Sequence, residues 1–401
     1  MPVALAPPIA AAPAGHAFGE NPPGRLRRVV GWVVVAVRAT VGTLSFGALL
    51  AAVAAVPGGP LLALGWMLEA EGRAANGGRA KSEGEAGRTS SPPLGRLLRA
   101  AAALAGTAAA IWLVLQPLRF VAGLASDAAV IAPGSTAAGG WQAATWALAA
   151  GLAVHLGLWL LAGGRTGWFR PLRNLLRVFR SPGEALDRLG ARCGWLWVEL
   201  VPLRALLLGA QGLIVAAAWA LLPSVLLAIQ GDGAGRALVR TLGAIWLAGV
   251  LPLIPAAQAN LAAARQDGFW RSLRAGLNPR AAWRTWRTRP ARWVGVLLAV
   301  IVGSLPLYSL AVVEVPADAR WLLTPACIVG VLPSRLLAGW TRRGVEAIAA
   351  PRRRWWTGGW LLLGWAVSLA YAGMLFLTPL VSAAGPAAAL RQPGLFTPVP
   401  F

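Results

Sequence analysis

The chain has 401 residues, of which 57% are hydrophobic and only 13% charged, whereas soluble domains run about 45–50% apolar and about 25% charged. With a mean hydropathy of +0.62 it has too little polar surface to coat a water-soluble globule. A soluble enzyme, a disordered chain and a secreted disulfide scaffold are excluded, which leaves a polytopic helical membrane protein. The net charge is +23 and Lys81 is the only lysine. Because the arginines cluster beside apolar runs of spanning length, the positive-inside rule explains them better than nucleic-acid binding does.

Residues 1–28 form a Pro/Ala-rich leader with the composition of a disordered segment, closed by Arg25, Arg27 and Arg28. The apolar stretch 29–68 follows, interrupted at Pro57-Gly58-Gly59-Pro60. It is far longer than the 7–15-residue apolar core of a signal peptide. The 73–96 loop is again basic, so this stretch crosses twice or re-enters, as two short spans or as a broken helix. Runs long enough to cross a bilayer, about 20 residues, then occur at 97–118, 141–162, 203–229, 241–264, 293–314, 321–340 and 355–381.

The loops alternate in charge. Segments 163–194, 265–292 and 341–354 are rich in arginine, whereas 126–140, 230–240 and 315–320 carry little basic charge. The alternation predicts basic loops and the N-terminus in the cytoplasm, and an extracytoplasmic tail at 382–401. Counting the N-terminal hairpin as two, the expected fold is an all-α bundle of about nine crossings over residues 29–381. Cys193 and Cys327 are the only cysteines and do not suggest a staple.

The segment Gly167-Trp168-Phe169-Arg170-Pro171-Leu172-Arg173 echoes Gly268-Phe269-Trp270-Arg271-Ser272-Leu273-Arg274. Each begins a basic stretch with aromatics interleaved, suited to lie in the interface with its arginines among anionic headgroups. Either a duplicated hairpin or two similar interfacial anchors produces such an echo. Arg170, Arg173, Arg177, Arg271, Arg274 and Arg335 are the expected contacts to anionic phospholipid.

Catalytic patterns are missing. His16 and His155 are the only histidines, so the chain lacks a histidine metal cluster and an evident base for a nucleophile. It also lacks a phosphate-binding P-loop. No enzyme activity, metal or cofactor is expected. Polar groups inside spans are costly and often functional. Arg38, His155, Gln211, Gln258 and Asn260 are therefore the candidate cavity-lining residues, with packing, snorkelling and interhelical hydrogen bonds as the competing explanations. Glu199 and Arg204 flank Pro202 and form a candidate ion pair. Prolines within the runs, such as Pro223, Pro252, Pro325 and Pro333, suit the kinked helices of a cavity-bearing protein. Glu184-Ala185, Gly190 and Pro202 resemble the coupling loop of ABC-importer permeases, but Leu186 replaces the second alanine and the proline falls one residue early.

Pro60-Leu61-Leu62-Ala63-Leu64-Gly65-Trp66-Met67-Leu68-Glu69-Ala70, Gln258-Ala259-Asn260-Leu261-Ala262-Ala263, Leu332-Pro333-Ser334-Arg335 and the terminal Pro398-Val399-Pro400-Phe401 together resemble motifs of a group of uncharacterised multi-pass bacterial membrane proteins. The resemblance implies their polytopic fold and a bacterial cytoplasmic membrane, and carries no activity or site residue with it. The expected function is that of a transporter or permease-like carrier for a small or lipidic solute. The alternative is a non-catalytic scaffold in envelope organisation, binding anionic lipid and a membrane-protein partner.

Overall fold

Good helix formers fill the apolar runs, and prolines and glycines punctuate them. In a computed structural model of the chain, residues 25–76, 93–162, 170–229, 233–312, 320–343, 345, 356–380 and 382 are described. Every regular element among them is a helix: α1 (Arg25–Ala54), α2 (Gly59–Asn76), α3 (Pro93–Val114), α4 (Gln116–Ile131), α5 (Thr136–Leu161), α6 (Pro171–Arg180), α7 (Pro182–Leu200) and α8 (Pro202–Leu227). They continue with α9 (Ala234–Val250), α10 (Leu253–Ala263), α11 (Phe269–Leu277), α12 (Pro279–Thr288), α13 (Pro290–Val312), α14 (Arg320–Arg343) and α15 (Trp356–Leu377), closed by a 3₁₀ turn at Thr378–Leu380. Six of these helices begin on proline, at Pro93, Pro171, Pro182, Pro202, Pro279 and Pro290. At a first helical position the missing N–H costs nothing and φ is already set.

The chain divides into two units, Met1–Val41 and Gly42–Phe401. In the first, the described part is the N-terminal half of α1, whose side chains from Val30 to Val41 are all exposed. The second contains the remaining helices. Its start is the C-terminal half of α1, which ends at the expected Pro/Gly break. Gly58 there has φ 76°, and a side chain at Gly59 would collide with the Val53 carbonyl, so glycine is required for the chain to reverse so tightly.

Among the described residues five stretches are long and apolar enough to cross a membrane: Val30–Ala54, Leu94–Ile131, Thr136–Leu161, Pro182–Leu227 and Trp356–Leu380. Two bent pairs, α9 with α10 (46°) and α12 with α13 (108°), raise the number to seven if each is one span. The sequence suggested nine. The first bend falls at Pro252, where a proline removes a backbone hydrogen bond. Several expected loops are helical in part: α4 reaches into the expected outer loop 126–140 as far as Ile131, and the basic segments 163–194 and 265–292 contain α6 with most of α7, and α11 with α12. Large apolar side chains face outward along these stretches, among them Trp146, Val154, Leu203, Leu242, Val302 and Leu362. An apolar exterior on this scale marks a surface that meets something other than water, as a membrane protein requires.

Helix α2 is the exception to that pattern. It is not among the spanning candidates, yet it is buried almost from end to end, enclosed by α8, α14, α10 and α3. Its approach to α8 is very close. A side-chain carbon at Gly65 would meet the Ala205 carbonyl, and one at Gly209 would meet the Leu61 carbonyl. Small residues facing each other let membrane helices pack backbone to backbone. One apolar core unites Phe46, Leu50, Trp66, Met67, Leu97, Ile328 and Leu332. A second unites Leu227, Leu247, Ile254, Trp286, Trp293 and Tyr371.

Candidate functional site

The enclosed helix α2 carries the run Glu69-Ala70-Glu71-Gly72-Arg73. Glu69 and Arg73 are one turn apart, on the same face, and Arg73 Nε donates to Glu69 Oε1 at 2.8 Å. The other Glu69 oxygen accepts from Arg265 Nε at 2.9 Å. Arg265 reaches it because residue 72 is glycine. A Cβ there would meet the Ala262 carbonyl and lie 2.7 Å from Arg265 Nη1. Arg73 also donates to the Glu199 carboxylate (2.9 Å) and to the Glu199 carbonyl (2.7 Å).

The C-terminus of α10 is closed by the same group of side chains. Asn76 donates to the Ala263 carbonyl (3.1 Å), Arg204 to the Arg265 carbonyl (2.9 Å) and Arg265 to the Ala262 carbonyl (3.4 Å). Basic side chains at a helix C-terminus satisfy its unpaired carbonyls and suit its dipole. The expected Glu199–Arg204 pair is therefore corrected: Glu199 pairs with Arg73, and Arg204 turns to α10. The cause is the break between α7 and α8. Val201 sits there at φ 41°, a left-handed conformation costing an L-residue about 1–2 kcal/mol, while the Trp66 indole holds the Leu200 carbonyl at 2.7 Å.

A second set of polar groups lies along α10 and α14. Arg335 donates from Nη1 to Gln258 Oε1. Arg342, two turns further along α14, donates from Nε to Asn260 Oδ1 at 2.7 Å, and Thr285 Oγ1 on α12 donates to the same oxygen at 3.1 Å. Arg335 Nη1 also faces Glu71 Oε2 at 3.8 Å. Arg335 is only 6% exposed, which corrects its expected role as a lipid contact. It lies near the end of its helix but points inward, to α2 and α10.

The two carboxylates of α2 thus meet opposite conditions. Both oxygens of Glu69 are held by guanidinium groups. Although burial alone would raise it, Arg265 and Arg73 hold it below its ordinary value. Arg265, just beyond α10, is lowered by burial against the pull of Glu69. Glu71 is fully buried, and neither of its oxygens has a hydrogen-bond partner among the described residues. Burial pushes it up to about 8, and Arg335 draws it only partly back. Arg335 Nε, Gln258 Nε2 and Asn260 Nδ2 are likewise buried donors without a partner among the described residues.

The structure brings Gln258 and Asn260 together on this seam. Gln211 serves a different contact, donating to the Phe269 carbonyl (2.8 Å) and to Ser272 Oγ (3.0 Å), which ties α11 to α8. His155 is half-buried on α5, and its Nδ1 has no partner among the described residues. Arg38 is exposed on α1, in the first unit. Arg170, Arg173, Arg177, Arg271 and Arg274 are all exposed. Gly167–Phe169, the start of the first echo segment, lies outside the described residues. Among the described residues no group of His, Cys, Asp and Glu is placed to hold a metal ion.

Glu69, Glu71, Arg73, Arg265 and Arg342 are not singled out by the sequence: Glu69 and Glu71 fall between the apolar stretch 29–68 and the 73–96 loop, and the arginines fall in the basic segments 73–96, 265–292 and 341–354. The readable signal was a pair of acids and an arginine directly continuing an apolar run in a chain with only 14 acids. Compared with known proteins, the chain matches no family model, no curated protein and no solved structure.

Proposed function

We propose that the protein is a membrane carrier for a small anionic solute, and that the solute path follows the seam between α2, α10 and α14. The carrying observation is a buried row of hydrogen-bond donors, Arg335 Nε, Gln258 Nε2 and Asn260 Nδ2, left without acceptors among the described residues. Buried polar groups are nearly always satisfied, so an acceptor-rich solute is the complementary occupant. The charge balance agrees: Glu69, Glu71 and Glu199 are outnumbered by Arg73, Arg204, Arg265, Arg335 and Arg342. The basic helices α6, α11 and α12 fit the cytoplasmic side by the positive-inside rule.

Native mass spectrometry of the protein released from lipid nanodiscs tests this. A stoichiometric small-molecule adduct that disappears in Gln258→Ala/Asn260→Ala, with the fold retained, is the expected result. An adduct unaffected by that double change, or no adduct at all, overturns the assignment.

A scaffold that binds anionic lipid is favoured by a separate feature. Arg173, Leu176, Arg177, Arg180 and Ser181 line an open groove of about 320 Å³ on α6, beside exposed Leu172 and Phe179. Guanidinium groups over an apolar edge suit a phosphate headgroup with its acyl chains beneath. Release of anionic lipid alone in the same measurement favours this second reading.

A further inference from the structure

We propose that Glu71 is a reversible proton-binding site in the interior of the bundle, so that the carrier moves its anion together with a proton. The assignment of the proton site rests on geometry. Its use in transport rests on the carrier reading above.

Glu71 shares helix, residue type and burial with Glu69 but differs from it in its partners. Glu69 receives a charged hydrogen bond on each oxygen, an arrangement that keeps a carboxylate ionised. Glu71 receives none among the described residues. Its counter-charge, Arg335, stands at 3.8 Å, beyond hydrogen-bond range, with Nη1 given to Gln258. A fully buried carboxylate with no hydrogen bond is costly in the charged form and is relieved by one proton. Burial that pushes the group up to about 8 agrees with this placement.

The other charges around α2 are already committed. From α8, Arg204 holds the Arg265 carbonyl, and Arg265, beyond α10, is bound to Glu69. From α7, Glu199 is bound to Arg73. From α14, Arg342 holds Asn260, and the α3 arginines, Arg96 and Arg99, are exposed. Among the described residues Arg335 alone is left to sense the charge on Glu71. A carboxyl proton removes the negative charge opposing an anion at Arg335 and Gln258, so anion and proton favour each other's binding, and by linkage do so equally. A hydronium ion delivers the proton to one carboxylate oxygen and leaves as water, and on release the new O–H bond breaks and the proton returns to water. Glu71 also lies at a close approach of α2 to α14, since a side chain at Gly339 would meet the Glu71 carbonyl. Its charge state therefore acts where the two helices dock.

The test is pH-difference infrared spectroscopy of the full-length protein in lipid nanodiscs, with no added solute. The wild type should show a carboxylic-acid carbonyl band that titrates near neutral pH and is missing in Glu71→Gln. Arg335→Gln, which removes the counter-charge, should raise the midpoint, increasing proton affinity about tenfold or more. A band that persists in Glu71→Gln overturns the proposal. So does a midpoint unmoved by Arg335→Gln, which decides the matter even if Glu71→Gln does not fold. Failure of the carrier reading would appear instead as a missing adduct in mass spectrometry, with the infrared titration intact.

Discussion

Glu69 and Arg265 stand 196 positions apart in the chain and share a charged hydrogen bond of 2.9 Å in the buried interior. Through it α2 is tied to the end of α10, where Arg265 also caps the helix it follows. Removing one partner of a buried pair leaves the other charge unmatched and typically costs about 3–5 kcal/mol. Arg265→Gln and Glu69→Gln should each destabilise by that order. Their double variant should lose less than the sum, because the stranded charge is gone. Denaturant unfolding followed by tryptophan fluorescence measures all three.

Backbone contact between α2 and α8 makes a second demand. Gly65→Ala places a methyl on the Ala205 carbonyl and should cost about 1–3 kcal/mol, the range for overpacking a tight interior. Gly106→Ala on α3 meets nothing within 4 Å and should stabilise by up to about 1 kcal/mol through helix propensity. The same unfolding assay separates the two.

The carboxylates of α2 set opposite pH dependences. Glu71 is raised from 4.5 to about 8, so between those values the native state holds a proton that the unfolded chain has lost. Stability then falls as pH rises through that window. Glu69 is lowered from 4.5, so its contribution is present above 4.5 and is lost in acid. Thermal unfolding against pH should show the neutral-range decline in the wild type, a flat profile there in Glu71→Gln, and retention of the acid-side loss.

The exposed arginines of α6 belong to a different surface and should affect a different quantity. Each exposed arginine beside an anionic leaflet contributes about 1 kcal/mol. Replacing Arg173, Arg177 and Arg180 by glutamine should therefore weaken retention of anionic lipid by about a hundredfold, leaving zwitterionic lipid unaffected. Counting retained lipids by native mass spectrometry at rising salt concentration checks this.

The helical class and the break at Pro57–Pro60 were legible in the sequence, because both follow from local composition and proline chemistry. The basic stretches were legible as charge but not as helices, since arginine density hides the underlying helical repeat in α6, α11 and α12. Gln258 and Asn260 were found because amides stand out in an apolar run. Their partners were not, because Arg342 lies 82 positions beyond Asn260 and no local rule selects it. Arg335 shows the same limit. Position along a helix suggested snorkelling, whereas the direction of its side chain depends on α2 and α10, which pack against α14 through contacts distant in sequence.

The most direct measurement of the solute path is water access to position 258. In a Cys193→Ser/Cys327→Ala background, Gln258→Cys and Ala259→Cys are each exposed in the membrane to a small, charged thiol reagent. Gln258 faces the polar seam, whereas Ala259 belongs to an apolar core. The expected result is modification of the cysteine at 258, with the cysteine at 259 untouched until the protein is unfolded. Equal protection of both positions in the folded protein would contradict a solute path along α2, α10 and α14 and make the seam a sealed structural core.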